Sequence, residues 1–500
     1  MRAYSEVMEP EASVVLADQL VFSYPPLDSK SPETPLLHDV TFSLDAGQAL
    51  MVLGASGSGK STLCYLLSGL APRHTGGQFS GSVRILGQDV MADPPLPSVI
   101  QVLFQDAATQ LFNTSAENEV AWGLEALGVS DLEIGPRVMA ALRLFGLLDH
   151  RHQPPWKLSG GQQKRLALAA LWALHPSVLL LDEPLGGVDP GGRAEVLDAL
   201  HLLRGEGTTL LFTSPHLDAR WNDAALAETV ALLDKGVLSA SESTACLLAE
   251  DQKLTAAGLR CPESLWHDLA HSRRTVGSGN AIEVCGVRYR YADGPPVLHG
   301  IDLAIPQGQF VAFVGANGAG KTTLIRHLNG LLRPDIGEVW VMGKRSVERS
   351  VGQLSRDVGF LFQRPEQQIF GATVWEEVAY GPRHLHLPDV EERVECALRR
   401  FDLTSLAHFP PAVLSYGAQR SVTLASLAAL DTPVLVLDEP TVGLDGRGRA
   451  QLLAWLAELR ASGVTIVLVT HEMALAQCAD RVLAMEQGRI VDDYVPEGLA

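Results

Sequence analysis

Two short segments of this chain have the residue types and spacing needed to hold a phosphate anion. Gly54-Ala-Ser56-Gly57-Ser-Gly59-Lys60-Ser61-Thr62 and Gly315-Ala-Asn317-Gly318-Ala-Gly320-Lys321-Thr322-Thr323 both follow the pattern G-x-x-x-x-G-K-[ST]. Glycines let a backbone fold its N–H groups around an anion, and the following helix adds the positive end of its dipole. Lys60 or Lys321 would then neutralise the outer phosphates, and the hydroxyl of Ser61 or Thr322 can bind Mg²⁺. Downstream, Val178-Leu-Leu-Leu-Asp182-Glu183 and Val434-Leu-Val-Leu-Asp438-Glu439 each end an apolar run in two adjacent carboxylates. Successive side chains of a strand point opposite ways, so one carboxylate can serve the Mg²⁺ shell while its neighbour polarises a water. Loop and acidic pair together point to nucleotide phosphate chemistry.

These groups need elements to position them. Apolar runs enter each glycine loop (Ala49 to Leu53 in the first) and helical patterns leave it, the strand–loop–helix setting that a phosphate loop requires. The landmarks recur at a nearly constant offset. The two lysines stand 321 − 60 = 261 apart, Gln105 and Gln363 of the two LFQ runs 258, and the pairs Ser159/Ser415 and Asp182/Asp438 256 each. The chain is therefore a duplicated domain. Short apolar runs alternating with helical patterns predict an α/β fold, two tandem P-loop NTPase domains with mostly parallel core sheets. The expected boundaries are a first domain over 12–270 with a short helical C-terminal extension, a polar Gly/Ser-containing linker over 271–280, and a second domain over 281–497.

Composition narrows the function class. Lys+Arg 39 against Asp+Glu 58 gives a net charge of −19, the wrong sign for holding nucleic acid by its phosphates. The six cysteines, Cys64, Cys246, Cys261, Cys285, Cys396 and Cys478, form no C-x-x-C pair, which argues against a zinc site or disulfide framework and for a reducing, cytoplasmic setting. Met1 to Pro10 carries acidic residues where an export signal needs an unbroken apolar stretch. The richest apolar stretch, Leu166 to Leu181, is broken by His175-Pro176 and falls short of the roughly 20 residues that span a bilayer. Any membrane work would need spanning helices from another chain.

With Leu158-Ser159-Gly160-Gly161-Gln162 between loop and acidic pair, the sequence resembles two ATP-binding cassette (ABC) ATPase domains in tandem, over nearly the whole chain outside the linker. The resemblance implies a head-to-tail intramolecular pair of domains enclosing two Mg-ATP, each bound by the loop and acidic pair of one copy and capped by the signature segment of the other. Ser159, Gly160, Gly161 and Gln162 would cap one site; Ser415 and Gly417, from Leu414-Ser415-Tyr416-Gly417-Ala418, would cap the other. It further implies that Tyr24 and Tyr291 stack on adenine, with Tyr289 competing with Tyr291. Gln105 and Gln363 would join Asp182 and Asp438 at Mg²⁺ and link phosphate to the partner groove, while Glu183 and Glu439 would polarise water and a histidine would contact the γ-phosphate. Phe362-Gln363-Arg-Pro-Glu-Gln-Gln368-Ile-Phe370 followed by Val374-Trp-Glu-Glu-Val-Ala-Tyr-Gly-Pro382 closely resembles the energy-coupling-factor branch, whose ATPases drive uptake of vitamins and of cobalt or nickel ions. In that branch the segment receives helices of a transmembrane coupling protein, which works with a substrate-binding membrane component, and the ATPase lies on the cytoplasmic face of the membrane. Copy one keeps the spacing in Phe104-Gln105-Asp-Ala-Ala-Thr-Gln110-Leu-Phe112 but loses the proline. An ordinary packing role for Phe112 and Phe370 is the competing reading.

The copies depart from the family pattern in opposite ways. Copy two has Tyr416 where a glycine is usual and Ala418 where glutamine is usual, while copy one reads Thr213-Ser-Pro-His216 against Thr470-His471-Glu472. Head-to-tail pairing would put Tyr416, Ala418 and the doubtful His216 at the site of Lys60, leaving every expected group, His471 included, at the site of Lys321. The expectation is an importer ATPase with unequal sites. The alternatives are the fused ATPase of a simple-sugar importer, over which the proline–glutamine segment after Gln363 favours the energy-coupling-factor reading, and a soluble tandem ATPase on ribosomes or DNA, which the charge and the short linker disfavour.

Overall fold

The apolar runs ahead of the two glycine loops form short central strands buried on both faces, as strands of a parallel sheet covered by helices must be. The structure, a computed structural model, describes residues 13–26, 35–93, 98–186, 188, 190–215, 227, 229–272, 277–292 and 294–496. Contacts divide the chain into Met1–Arg260 and Cys261–Ala500.

Unit one runs β1 (Val15–Ser23), β2 (Leu37–Leu44), β3 (Ala49–Leu53), α1 (Lys60–Leu67), β4 (Gln78–Ile85), β5 (Gln88–Asp89), β6 (Ile100–Leu103), α2 (Ala116–Ala126), α3 (Asp131–Leu144), α4 (Gly160–Trp172), β7 (Val178–Leu181), α5 (Pro190–Gly205), β8 (Thr209–Ser214), β9 (Thr229–Asp234), β10 (Val237–Leu238), β11 (Glu242–Ser243), α6 (Thr244–Leu248) and α7 (Asp251–Ala256). Its core sheet has the order β10-β9-β3-β8-β7-β6, parallel from β9 to β6, with β11 also on β9, and a second, antiparallel sheet has the order β2-β1-β4-β5. The pleat of β3 sends Leu50 and Val52 toward the antiparallel sheet, beside Val15, Phe22 and Leu63 of α1. Met51 and Leu53 point the other way, into a cluster with Val120 of α2, Leu142 of α3 and Leu166 of α4.

Unit two repeats the plan after one extra helix: α8 (Glu263–His271), β12 (Asn280–Arg290), β13 (Pro296–Pro306), β14 (Phe310–Val314), α9 (Lys321–Leu328), β15 (Ile336–Val341), β16 (Lys344–Arg345), α10 (Val351–Leu354), β17 (Val358–Leu361), α11 (Val374–His384), α12 (Val390–Arg400), α13 (Tyr416–Leu430), β18 (Val434–Asp438), α14 (Gly446–Ala461), β19 (Thr465–Val469), α15 (Met473–Ala476), β20 (Arg481–Glu486) and β21 (Arg489–Tyr494). The core order β17-β18-β19-β14-β20-β21 is that of unit one strand for strand, and β13-β12-β15-β16 form the antiparallel sheet. In both units the glycine-loop strand lies inside the parallel sheet, one strand away from the strand that ends in the acidic pair. Loop and carboxylates therefore meet beyond the carboxyl ends of the strands, where open α/β sheets bind ligands.

The expected segment of short helices between the copies is present, but the division between units falls at Arg260/Cys261 rather than within 271–280. The first unit's extension ends with α7, whose Leu254 joins the first core along with Leu247 and Leu259. Helix α8, expected in the first domain, belongs to the second because Leu269 is buried in that core with Leu265 and Trp266 packed on it. Arg460 of α14, only 3% exposed, locks it there by donating from Nη1 to Leu269 O (2.7 Å) and Ala270 O (3.1 Å) while its Nη2 pairs with buried Asp480. Among the described residues no helix is long and apolar enough to cross a membrane.

Candidate nucleotide-binding sites

In unit two the chain leaves β14 through Gly315 (φ 142°), where a Cβ would lie 2.2 Å from Met485 O, so only glycine fits the turn. Lys321 opens α9 after Gly320 in a left-handed conformation, and its Nζ folds back onto Gly315 O (2.6 Å) and Ala316 O (2.9 Å). Thr322 Oγ1 donates to Asp438 Oδ2 at 2.9 Å, joining loop and acidic strand. Glu439 is buried with φ 50°, its N–H donating to Val469 O (2.9 Å) and its Oε2 accepting from His471 N (3.3 Å). His471 Nε2 lies 3.4 Å from Glu439 Oε1 and 3.0 Å from Asn317 Oδ1 of the glycine loop. Burial, reinforced by neighbouring Asp438, pushes the Glu439 carboxyl up to about 7, against the backbone N–H of His471. A carboxyl poised there can take a proton from water near neutrality.

Unit one assembles the same groups with different bonds. Lys60 Nζ again donates to Gly54 O (2.7 Å) and Ala55 O (3.0 Å), and it stands 4.0 Å from Glu183 Oε1. Gln105 Nε2 holds Glu183 Oε2 at 2.9 Å, and burial raises the Glu183 carboxyl while Lys60 opposes the rise. Thr213 Oγ1 donates to Asp182 Oδ1 (2.6 Å) and accepts from Glu183 N (3.1 Å), a role no valine can play at the matching Val469. Asp182, 1% exposed, keeps Oδ2 without a hydrogen bond among the described residues. An orphaned carboxylate oxygen beside a phosphate loop, and in unit two a hydroxyl already on the matching carboxylate, form a hard-oxygen donor set that fits Mg²⁺. Asp182 with Ser61, and Asp438 with Thr322, would hold it, and its charge would offset that of the phosphates.

Tyr24 Oη meets Thr62 Oγ1 at 3.1 Å and Tyr291 Oη meets Thr323 Oγ1 at 3.2 Å, so both rings stand beside a glycine loop with a face in solvent. Tyr289 is the backing residue instead, packed edge-on against Tyr291 (5.0 Å) and buried His327 (4.9 Å), as Phe22 backs Tyr24 (4.9 Å).

Each signature serine caps its helix. Ser159 Oγ accepts from Gln162 N, and Gln162 Oε1 accepts from Ser159 N at 2.9 Å. The other end of that amide, Nε2, donates to His150 Nε2 at 3.0 Å, so in this structure the glutamine is turned inward. His150, which sequence reasoning passed over, has Leu406 as its match in copy two, just as Gln162 has Ala418; donor and acceptor are lost together. Replacing both partners of a hydrogen bond by apolar groups costs far less than removing one. Lys164, buried one turn into α4, donates from Nζ to Glu183 O (2.7 Å) and Gly186 O (3.0 Å), and burial lowers its ammonium to about 8. Its match is Arg420, fully buried in α13, which turns instead to the carbonyls of Phe362 (2.7 Å) and Gln363. Tyr416 and Gly417 begin that helix behind the Ser415 cap, with Gly161 and Gly417 buried at matching positions.

The segments after Gln105 and Gln363 share one design. Gln110 Oε1 accepts from Phe104 N (3.0 Å) and Gln368 Oε1 from Phe362 N (3.2 Å), closing each loop on its strand. Glu119 Oε2 takes the N–H groups of Phe112 (3.0 Å) and Asn113 (2.7 Å); Glu377 Oε2 takes those of Phe370 (2.9 Å) and Gly371 (2.6 Å). These buried carboxylates, legible only as part of a motif, turn the aromatic outward. Phe112 is 59% and Phe370 62% exposed, each edge-on to a second exposed ring, Trp122 at 5.0 Å and Tyr380 at 4.4 Å. Neither is a core residue. His216 lies outside the described residues.

A family described as "ABC transporter" matches the chain twice, over residues 37–186 and 298–442. Similar chains named "Putative ABC transporter ATP-binding protein" come from Caldanaerobacter subterraneus subsp. tengcongensis (32% identical, covering 95% of this chain and 90% of the relative) and Methanosarcina mazei (33%, covering 97% and 89%). Among solved structures, cbiO1 from Clostridium perfringens, part of the ABC transporter complex cbiONQ, aligns at 32% identity over 44% of this chain and 91% of that one, with a TM-score of 0.40.

Proposed function

This chain belongs to the ABC transporter ATP-binding family, and from that premise we propose that it is the fused ATPase of an importer of the energy-coupling-factor type. It binds and hydrolyses ATP. In the proposed assembly it sits on the cytoplasmic face of the membrane, engages a transmembrane coupling protein of the T type and a substrate-binding membrane component, and drives uptake of a vitamin, a vitamin precursor or a cobalt or nickel ion. The observation that carries this reading is the exposed pair Phe370–Tyr380, presented by the Glu377-braced turn a few residues after Gln363. Large apolar rings held out in water beside a catalytic loop are suited to receive helices of a partner.

For the reaction, Lys321 would neutralise phosphate charge, Thr322, Asp438 and Gln363 would serve Mg²⁺, Glu439 would polarise the attacking water and His471 would contact the γ-phosphate. Lys60, Ser61, Asp182, Gln105 and Glu183 would do the same in unit one. Closed head to tail, the units would cap the unit-two nucleotide with Ser159 to Gln162 and the unit-one nucleotide with Ser415 to Ala418. Tyr416 at the second cap makes the unit-two site the faster one in this reading.

The test is capture of the tagged full chain from detergent-solubilised membranes of its native host, with the double variant Phe370→Ala, Tyr380→Ala alongside. A multi-spanning protein and a small membrane binding protein should copurify with the wild type and be lost from the variant, whose ATPase activity persists. Recovery of ribosomal or DNA-processing proteins alone would overturn the transport reading and leave the ATPase standing.

A further inference from the structure

Tyr416 stands where copy one has Gly160, and around Gly160 an added Cβ would meet nothing within 4 Å. In unit two that space is put to use. The Tyr416 ring lies so close over Gly443, in the turn after Glu439, that a Cβ there would come within 2.3 Å of its Cδ1. Its hydroxyl reaches Gln363 O (3.5 Å) and accepts from Arg420 Nη2 (3.4 Å), while the Arg420 guanidinium sits 5.9 Å from the ring centre. Arg420 in turn grips the carbonyls of Phe362 and Gln363. A guanidinium has five N–H donors in a rigid plane, enough for two successive carbonyls and the tyrosine hydroxyl beside the ring, where the ammonium of Lys164 has three donors on one atom.

We propose that Tyr416 is a positioning residue for Gln363: with Arg420 it ties the start of the signature helix, the glutamine loop and the turn at Gly443 of unit two into one brace. On this account the missing glycine is an exchange. Unit two gives up an open helix start and gains a fixed backbone under Gln363, the side chain proposed for its own Mg²⁺ and phosphate. The brace rests on that assignment of Gln363.

The experiment is a double-mutant cycle on steady-state ATPase activity, using the full chain with Glu183→Gln throughout, so that turnover reports the unit-two site and a glycine restored at the unit-one cap adds nothing to it. Tyr416→Gly should lower kcat by about three- to tenfold with the KM for ATP moved less than about twofold, since a lost orienting contact acts in the transition state. Tyr416→Phe, which keeps the ring over Gly443, should retain at least about half the activity. In a Gln363→Ala background, Tyr416→Gly should change kcat by less than about twofold, the signature of two residues acting through one path. An unchanged or raised kcat in Tyr416→Gly, or effects that multiply in the cycle, would overturn the brace while leaving Gln363 its role. If Gln363→Ala alone left kcat unchanged, the role of Gln363 and the brace would fall together. Should Tyr416→Gly not fold, Arg420→Lys takes its place in the same cycle, with the same expected non-additivity.

Discussion

One turn into each signature helix a buried cation reaches across to a neighbouring loop, and the two copies send it to different places. In unit one Lys164 holds the carbonyls of Glu183 and Gly186, the turn that carries the proposed base; in unit two Arg420 holds those of Phe362 and Gln363, the loop that carries the proposed metal and partner link. The carboxylates are secured in the complementary way. Glu183 is held by Gln105 and Lys60, whereas Glu439 is held by the N–H of His471. Two copies with the same strand order thus reach the same placement of phosphate loop and acid by separate hydrogen-bond networks. A duplicated fold constrains where the proposed catalytic groups stand; it leaves open which neighbours steady them, and there the copies have diverged.

The widest gap between the units should appear in turnover. Glu439→Gln should lower ATPase activity on the order of a hundredfold, to what the slower site supplies, and Glu183→Gln by less than about twofold, because a cap weaker by ~3 kcal/mol leaves the unit-one site a minor share of the proposed turnover. Equal losses, measured by phosphate release from matched preparations, would remove the asymmetry. The copies should instead behave alike at the braced turns. Glu119→Ala and Glu377→Ala each strand two N–H groups and should cost about 2–4 kcal/mol in urea unfolding, with the glutamine variants losing less because an amide oxygen still accepts. A difference between the copies there would show that the exposed aromatics are not equivalently supported.

The smallest effect concerns the buried cations. Between about 8 and 10.5 an unfolded lysine keeps a proton that Lys164 has lost in the folded chain, so stability rises with pH through that window, by at most about 1.4 kcal/mol per pH unit. Lys164→Arg, which stays charged, should abolish that part of the rise in denaturation midpoints followed from pH 7 to pH 10. If the two proteins changed in parallel, Lys164 would be better solvated than its burial implies.

Much of this was legible in the chain alone. Lys60 and Lys321 follow their glycines, Asp182 and Asp438 end their strands, and the constant offset reveals the duplication, because such motifs fix local backbone geometry. The domain boundary was not, since α8 is amphipathic in either direction and only its burial against α14 and the Arg460 contacts assign it to unit two. Nor was the outward turn of Phe112 and Phe370, which Glu119 and Glu377, each seven residues further on, impose by burying a carboxylate against the turn's N–H groups.

The sequence by itself determined the two phosphate loops, the acidic pairs, the order of elements and the class of reaction, all of which rest on contacts between residues near one another along the chain or on the repeat itself. Only the tertiary structure decided that His150 shares the fate of Gln162, that Thr213 and Thr322 each reach an aspartate from a different element, and that Tyr416 braces Gln363. Those pairings join residues from 12 to 116 positions apart, and a side chain's partner at that range is set by how helices and strands pack, which no local pattern records.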